Sequence, residues 1–240
     1  MLVRLVVPSS TIPFYHCWRA RLGLVPPAAL VTLSAAEQVR HGRFLAVGPA
    51  QAYAGAHLFL RAVLSYYVGQ PPAVLALDVD ARQKPVLTSG PLLWFNLSYR
   101  TKWALLAISN QCEVGVDVEE IWPVTGAEDL VCQLFSSAER AVLHAAKGVA
   151  WWALFYAIWT RKEAWAKMLG MGITLPFADF SVAQQHDEAV DWLVPGTGQL
   201  CNFTVDEGHA AALTCTAPAT INWQHFKYPS RQPMAALLFS

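Results

Sequence analysis

The stretch Trp159-Thr160-Arg161-Lys162-Glu163-Ala164-Trp165-Ala166-Lys167 sets a carboxylate and two amines among large aromatic side chains. At about 100° per residue, a helix puts Trp159, Glu163 and Lys167 on one stripe, each a turn from the next, with Lys162 beside it. Upstream, Gly115-Val116-Asp117-Val118-Glu119 reads as a strand, which turns Asp117 and Glu119 to the same face. Three carboxylates and a lysine on elements able to pack together suit a divalent cation held over a phosphate. A small set of oxygen ligands fits Mg²⁺, which keeps some waters and completes its shell with phosphate oxygens. Spacing alone leaves a plainer reading open, in which Glu163 and Lys167 form a surface i, i+4 pair and the strand carboxylates face water.

The rest of the sequence narrows the choice by exclusion. There is no Walker A motif, no GxGxxG, no GxSxG and no HExxH. The seven histidines are scattered singly, and the five cysteines are odd in number and never form a CxxC pair. Neither a disulfide framework nor a zinc site is signalled, and a reducing cytoplasm fits. The apolar run Val149 to Trp159 is short of the ~20 residues that span a bilayer, so the expectation is a cytoplasmic protein with no membrane span. Charged residues make up 14% of the chain, against about 25% on average, which reserves apolar surface for a partner. The net charge of zero hides an asymmetry. Residues 1–110 hold ten Lys and Arg against three Asp and Glu, net +7, whereas residues 111–240 hold seven against fourteen, net −7. A basic half that holds an anion and an acidic half that holds a metal is one way to use that division.

The elements needed to position these groups can be read in order. Leu2 to Val7 looks like a strand, and the proline-bearing stretch to Pro27 like a loop. Ser34, three residues before Glu37, predicts a capping box and a helix toward Phe44 that carries Arg40 and Arg43. A buried helix follows from Ala50 to Val68, stopped by Gly69-Gln70-Pro71-Pro72. Ala73 to Leu77 reads as a strand, and Trp94 to Arg100 with Trp103 to Ile108 as a strand pair. The second half repeats the plan: strand 114–118, a helix from about Ser137, and a long helix 149–169 ending at Gly170. Strand candidates then fall at Phe180 to Val182, Trp192 to Val194, Leu200 to Val205 and Ala210 to Thr216. The expectation is an α+β protein of two similar α/β lobes, 1–110 and 111–240, related by pseudo-two-fold symmetry, with the active site in the cleft between them.

Gly115 to Glu119, followed some forty residues later by Trp159 to Ala164 and Lys167, resembles the signature of 4′-phosphopantetheinyl transferases. Lys84-Pro85, Phe95-Asn96-Leu97-Ser98, Phe135-Ser136-Ser137-Ala138-Glu139 and Leu175-Pro176-Phe177 extend the resemblance, in the family's order, over residues 34 to 182. The length is similar to that of the monomeric, two-lobed type that activates surfactin synthetase. This likeness implies transfer of the phosphopantetheine arm of coenzyme A to a serine hydroxyl of an acyl, peptidyl or aryl carrier protein, with no nucleic-acid partner. It implies that Asp117, Glu119 and Glu163 hold Mg²⁺, that Glu163, or a water it orients, helps remove the serine proton, and that Lys167 and Lys162 stabilise charge on the transferred phosphate and leaving group. It further implies that Lys84 and Pro85 lie near the adenine, Ser98 near the pyrophosphate, and Arg43 with Arg40 at the ribose phosphate.

Departures from the family pattern cluster on the anion-binding side. Tyr99 stands where the family has histidine, Pro49 and Ala52 replace an aspartate and an arginine, and Glu37 stands where lysine is frequent. A tyrosine donates a hydrogen bond but stays neutral at pH 7, whereas histidine can become cationic. The resemblance therefore implies phosphate contacts either weakened or rebuilt from Arg19, Arg21 and Arg61. The alternative is a degenerate relative that binds a carrier protein or partner enzyme with little transfer.

Overall fold

The computed structural model describes residues 12–186, 189–217 and 224–227. Residues 112–222 form one compact unit and the chain on either side of them the other.

The first unit opens with β1 (Tyr15–Arg21). Helix α1 (Ala35–Gly42) carries the capping box that its Ser-x-x-Glu spacing predicts: Ser34 Oγ accepts from Glu37 N–H and the Glu37 carboxylate accepts from Ser34 N–H. Helix α2 (Val47–Val68) stops at Gly69, which takes the left-handed conformation at φ 70° that a side chain disfavours. The hairpin β2 (Leu77–Val79) and β3 (Pro85–Leu87) precedes β4 (Trp94–Arg100) and β5 (Trp103–Ser109). β5 lies between β1 and β4 and is antiparallel to both. α2 covers this sheet through Phe59, Leu60, Val63, Leu64 and Tyr67, which meet Trp18, Phe95, Leu106 and Ile108. Alternation along β4 turns Phe95, Leu97 and Tyr99 to that core and leaves Asn96 and Ser98 on the opposite face.

The second unit runs β6 (Val114–Glu120), α3 (Ala127–Leu134), α4 (Ser137–Ala145), α5 (Val149–Leu169), β7 (Ala183–His186), β8 (Ala189–Trp192), β9 (Gln199–Thr204) and β10 (His209–Cys215). Its three-stranded sheet has the order β6-β10-β9 and is antiparallel throughout. The strand that opens each unit thus pairs with the second strand of that unit's closing hairpin. α4 repeats the capping box with Ser136 and Glu139, and α5 stops at Gly170 with φ 68°. One strand, β11 (Gln224–Lys227), runs parallel to β1 and belongs with the first unit. The second unit ends before this strand.

Several expectations shift. Part of the stretch read as a loop before Pro27 is β1, whose Cys17, Trp18 and Ala20 are all buried. A strand enclosed on both faces loses the alternation by which strands are recognised. Residues 72–74 form a 3-10 turn that Pro72 opens, instead of the start of a strand, and α3 was not anticipated. The strand expected at Leu2 to Val7 lies outside the described residues. Among the described residues no helix is long and apolar enough to cross a membrane.

Candidate functional site

The second unit is built around the approach of β6 to α5. A Cβ on Gly115 would stand 2.1 Å from the Ala164 carbonyl oxygen and 2.8 Å from the Met168 nitrogen, so only glycine lets the strand lie directly on the helix backbone. Two residues further on, on the same face, Asp117 meets that helix. It is 2% exposed, and Lys167 Nζ donates to its Oδ1 at 2.5 Å. From Phe155 on, α5 turns Phe155, Ile158, Lys162, Ala164, Trp165 and Met168 inward, all buried. Trp159, Glu163 and Lys167 stay half-buried, and they form the i, i+4, i+8 stripe that the sequence predicts.

The electrostatics tie these groups together. Burial raises the Glu163 carboxyl above its ordinary value, the charge of Asp117 adds to that, and Lys167 opposes it. Burial alone would lower Lys167, but Asp117 beside it, with Glu163 and Glu119, outweighs burial and holds the ammonium above its usual range. Glu119 and Asp117 stand opposite Ala210 and Ala212 on β10, small residues that crowd neither carboxylate. The alanine run at 210–212 is a signal that sequence reasoning passed over. The donor set is all oxygen and suits Mg²⁺ in kind. Among the described residues, however, no three His, Cys, Asp or Glu side chains converge as a ready-made metal shell, and the Lys167 ammonium occupies one Asp117 oxygen.

Lys162 requires a correction. Its side chain is fully buried, 2.9 Å from Glu139 Oε2, and Nζ donates to the carbonyl oxygens of Phe177 and Phe180 while lying over the Phe180 ring. Burial lowers its pKa against the pull of Glu139. A lysine so enclosed by protein acceptors has no approach to a substrate phosphate. Its partner Glu139, which also accepts from Ser136 N–H and Val182 N–H, was read from the sequence only as a motif residue. Arg161 is likewise buried, donating to the carbonyls of Leu193 and Leu200.

In the first unit, Arg40 and Arg43 line a groove of about 820 Å³ with Ala35, Ala36, Val39 and Phe44. Lys84 closes a turn in which its backbone N–H donates to Asp80 Oδ1 and its carbonyl accepts from Asp80 N–H; Pro85, which begins β3, is exposed. Ser98 is buried, and Tyr99 lies edge-on to the His57 ring, centroids 6.4 Å apart. Arg61, one of the arginines considered as a substitute phosphate ligand, is buried and committed to Glu37 and to the carbonyls of Pro72 and Leu75. Burial would raise Glu37, but hydrogen bonds from His57, Ser34 N–H and Arg61 hold its carboxyl at about 2.

Residues 113–218, which carry Asp117, Glu163 and Lys167, match the 4′-phosphopantetheinyl transferase superfamily. The 4′-phosphopantetheinyl transferase HetI of Nostoc sp. is 29% identical over 218 residues, 87% of this chain and 89% of HetI. Sfp of Bacillus subtilis, named likewise, is 26% identical over 164 residues, 67% of this chain and 72% of Sfp. AcpT of Salmonella typhimurium is 40% identical over 87 residues, 36% of this chain and 45% of AcpT. The chain is thus similar to 4′-phosphopantetheinyl transferases over most of its length, with the family match confined to residues 113–218.

Proposed function

We propose that this protein transfers the 4′-phosphopantetheine arm of coenzyme A to a serine hydroxyl of a carrier protein. The observation that carries the reading is the half-open stripe of Glu163 and Lys167 on the otherwise buried stretch 160–168 of α5, set against Asp117. In the reaction the serine oxygen bonds to the phosphorus next to the pantetheine, the pyrophosphate P–O bond breaks, and adenosine bisphosphate leaves. Glu163, whose raised pKa favours accepting a proton, takes the serine proton. Lys167 keeps its charge and offsets the negative charge that builds on the transferred phosphoryl group. Asp117, Glu119 and Glu163 would hold Mg²⁺, which supplies charge neutralisation on the pyrophosphate when bound.

The first unit supplies the anion side in this reading, with Arg40 and Arg43 for the ribose phosphate, Lys84 and Pro85 for the adenine, and Ser98 and Tyr99 for the pyrophosphate. The duplication suggested by the sequence belongs to the same proposal. It is supported by the shared strand order, the two capping boxes and the two acid–base pairs that those boxes make.

The test is incubation of the protein with Mg²⁺, coenzyme A and several apo-carrier proteins, read by mass spectrometry for the added arm. Transfer is expected, and Glu163→Gln lowers its rate about 100-fold or more. Carriers bound but never modified overturn the transferase reading; an unchanged Gln variant removes Glu163 from the proton transfer.

A further inference from the structure

The transferase reading leaves unused a histidine built into the first unit. His57, on α2, places Nδ1 2.9 Å from Glu37 Oε1, while Arg61 Nε takes the other oxygen of the same carboxylate at 2.6 Å. The imidazole lies 4.1 Å from the Tyr53 ring, centroid to centroid, and the Arg40 guanidinium lies over that same ring, 5.7 Å from its centroid. His57 keeps 20% of its side chain exposed. With Nδ1 taken, its Nε2 is neither hydrogen-bonded nor buried.

This arrangement makes the open nitrogen a switchable donor. An ionised Glu37 fixes the proton of a neutral ring on Nδ1 and leaves a lone pair on Nε2, which repels an anion. A second proton turns Nε2 into a charged donor. The charged groups that face the ring are Glu37 and, on the same carboxylate, Arg61, and Tyr53 and Tyr99 pack against it. An anion arriving at Nε2 favours the protonated form, so anion binding and proton uptake are linked. The cation absent at position 99 is thereby available from α2, against the edge of Tyr99 itself.

We propose that the Glu37–His57 dyad is a proton-dependent phosphoryl-binding site for the donor substrate, with His57 Nε2–H donating to a phosphate oxygen. The source of the phosphate rests on the transferase reading: coenzyme A offers a ribose phosphomonoester and a pyrophosphate, and the dyad takes one of them.

The experiment is calorimetric titration of wild type, His57→Gln and His57→Arg with coenzyme A, 3′-dephospho-coenzyme A and inorganic pyrophosphate at pH 6 and pH 8. At pH 6, wild type binds coenzyme A about tenfold more tightly than the Gln variant, the worth of one charge-assisted hydrogen bond. At pH 8 the two converge, and the Arg variant keeps the tight affinity at both pH values, a gain that unfolding cannot mimic. A difference that vanishes with 3′-dephospho-coenzyme A assigns the monoester; one that persists assigns the pyrophosphate. A Gln variant equal to wild type at both pH values, or no binding of any of the three probes, overturns the site. Carriers modified with the same coenzyme A KM and pH profile in wild type and the Gln variant would sink the dyad and spare the transferase reading. Pyrophosphate binding that depends on His57 and pH, without modification of any carrier, does the reverse.

Discussion

Each unit has a helix-capping glutamate whose carboxylate reaches a base on the long helix that follows: Glu37 to Arg61 at 2.6 Å and Glu139 to Lys162 at 2.9 Å. The second pair is sealed, both side chains fully buried, with every acceptor and donor around it supplied by α4, α5 and the segment 177–182. The first keeps its carboxylate 12% exposed and shares it with His57. The same construction thus does two jobs. In the second unit it locks α5 so that Glu163 and Lys167 are held against Asp117, whereas in the first it holds a titratable ring at the surface.

The comparison is broken most severely by removing one member of the sealed pair. Lys162→Ala leaves the Glu139 charge buried and uncompensated, and a loss of about 3–5 kcal/mol in urea unfolding is expected. The double variant Lys162→Met with Glu139→Leu replaces the pair by apolar side chains of similar size, an exchange that is often nearly neutral or stabilising. If Lys162 only positions α5, the folded double variant still transfers. A stable but inactive double variant would return Lys162 to the chemistry.

The open pair has an acid-sensitive signature. Glu37 is held at about 2, below its ordinary 4.5. A carboxyl lowered in the folded state adds stability above its unfolded value, and that contribution drains away as pH falls from about 4.5 to about 2. The amount is on the order of 3 kcal/mol. Unfolding free energy measured from pH 5 to pH 2 should fall more gently in Glu37→Gln, which has no carboxyl to protonate, than in wild type. Parallel curves would mean that the first unit's carboxylate is no more tightly held than an exposed one.

How much of this was legible depended on how local the signal was. The capping boxes, the Gly69 and Gly170 stops and the Trp159, Glu163, Lys167 stripe are set by spacing within a helix or at its ends, and the structure has them where the sequence puts them. Lys162 sits one residue from Glu163, and no periodicity tells a lysine at a half-open stripe from one turned into the core. That was decided by Glu139 and by the carbonyls at 177 and 180, which tertiary packing brings in. β1 was hidden for the same reason, since its pairing partner lies far along the chain in β5 and β11. His57 looked like one more scattered histidine because its partner Glu37 stands on another helix.

Two glycines give the smallest and sharpest contrast between the units. At Gly115 the space for a Cβ is filled by helix backbone, the Ala164 oxygen and the Met168 nitrogen, atoms that move only with α5 itself. Gly115→Ala should therefore cost about 1–3 kcal/mol or more through overpacking, and it should depress transfer beyond its effect on stability because it pushes Asp117 away from Glu163 and Lys167. At Gly55, inside α2, a Cβ meets only Leu22 Cδ2 at 3.2 Å and Val25 Cγ2 at 3.6 Å, the ends of flexible side chains that can give by a few tenths of an ångström. Replacing a mid-helix glycine by alanine gains about 0.5–1 kcal/mol, so Gly55→Ala should be neutral or slightly stabilising in thermal unfolding, with transfer unchanged. Equal losses at the two positions would show that the first unit is packed as tightly onto its long helix as the second, and that the openness around Glu37 is confined to the dyad.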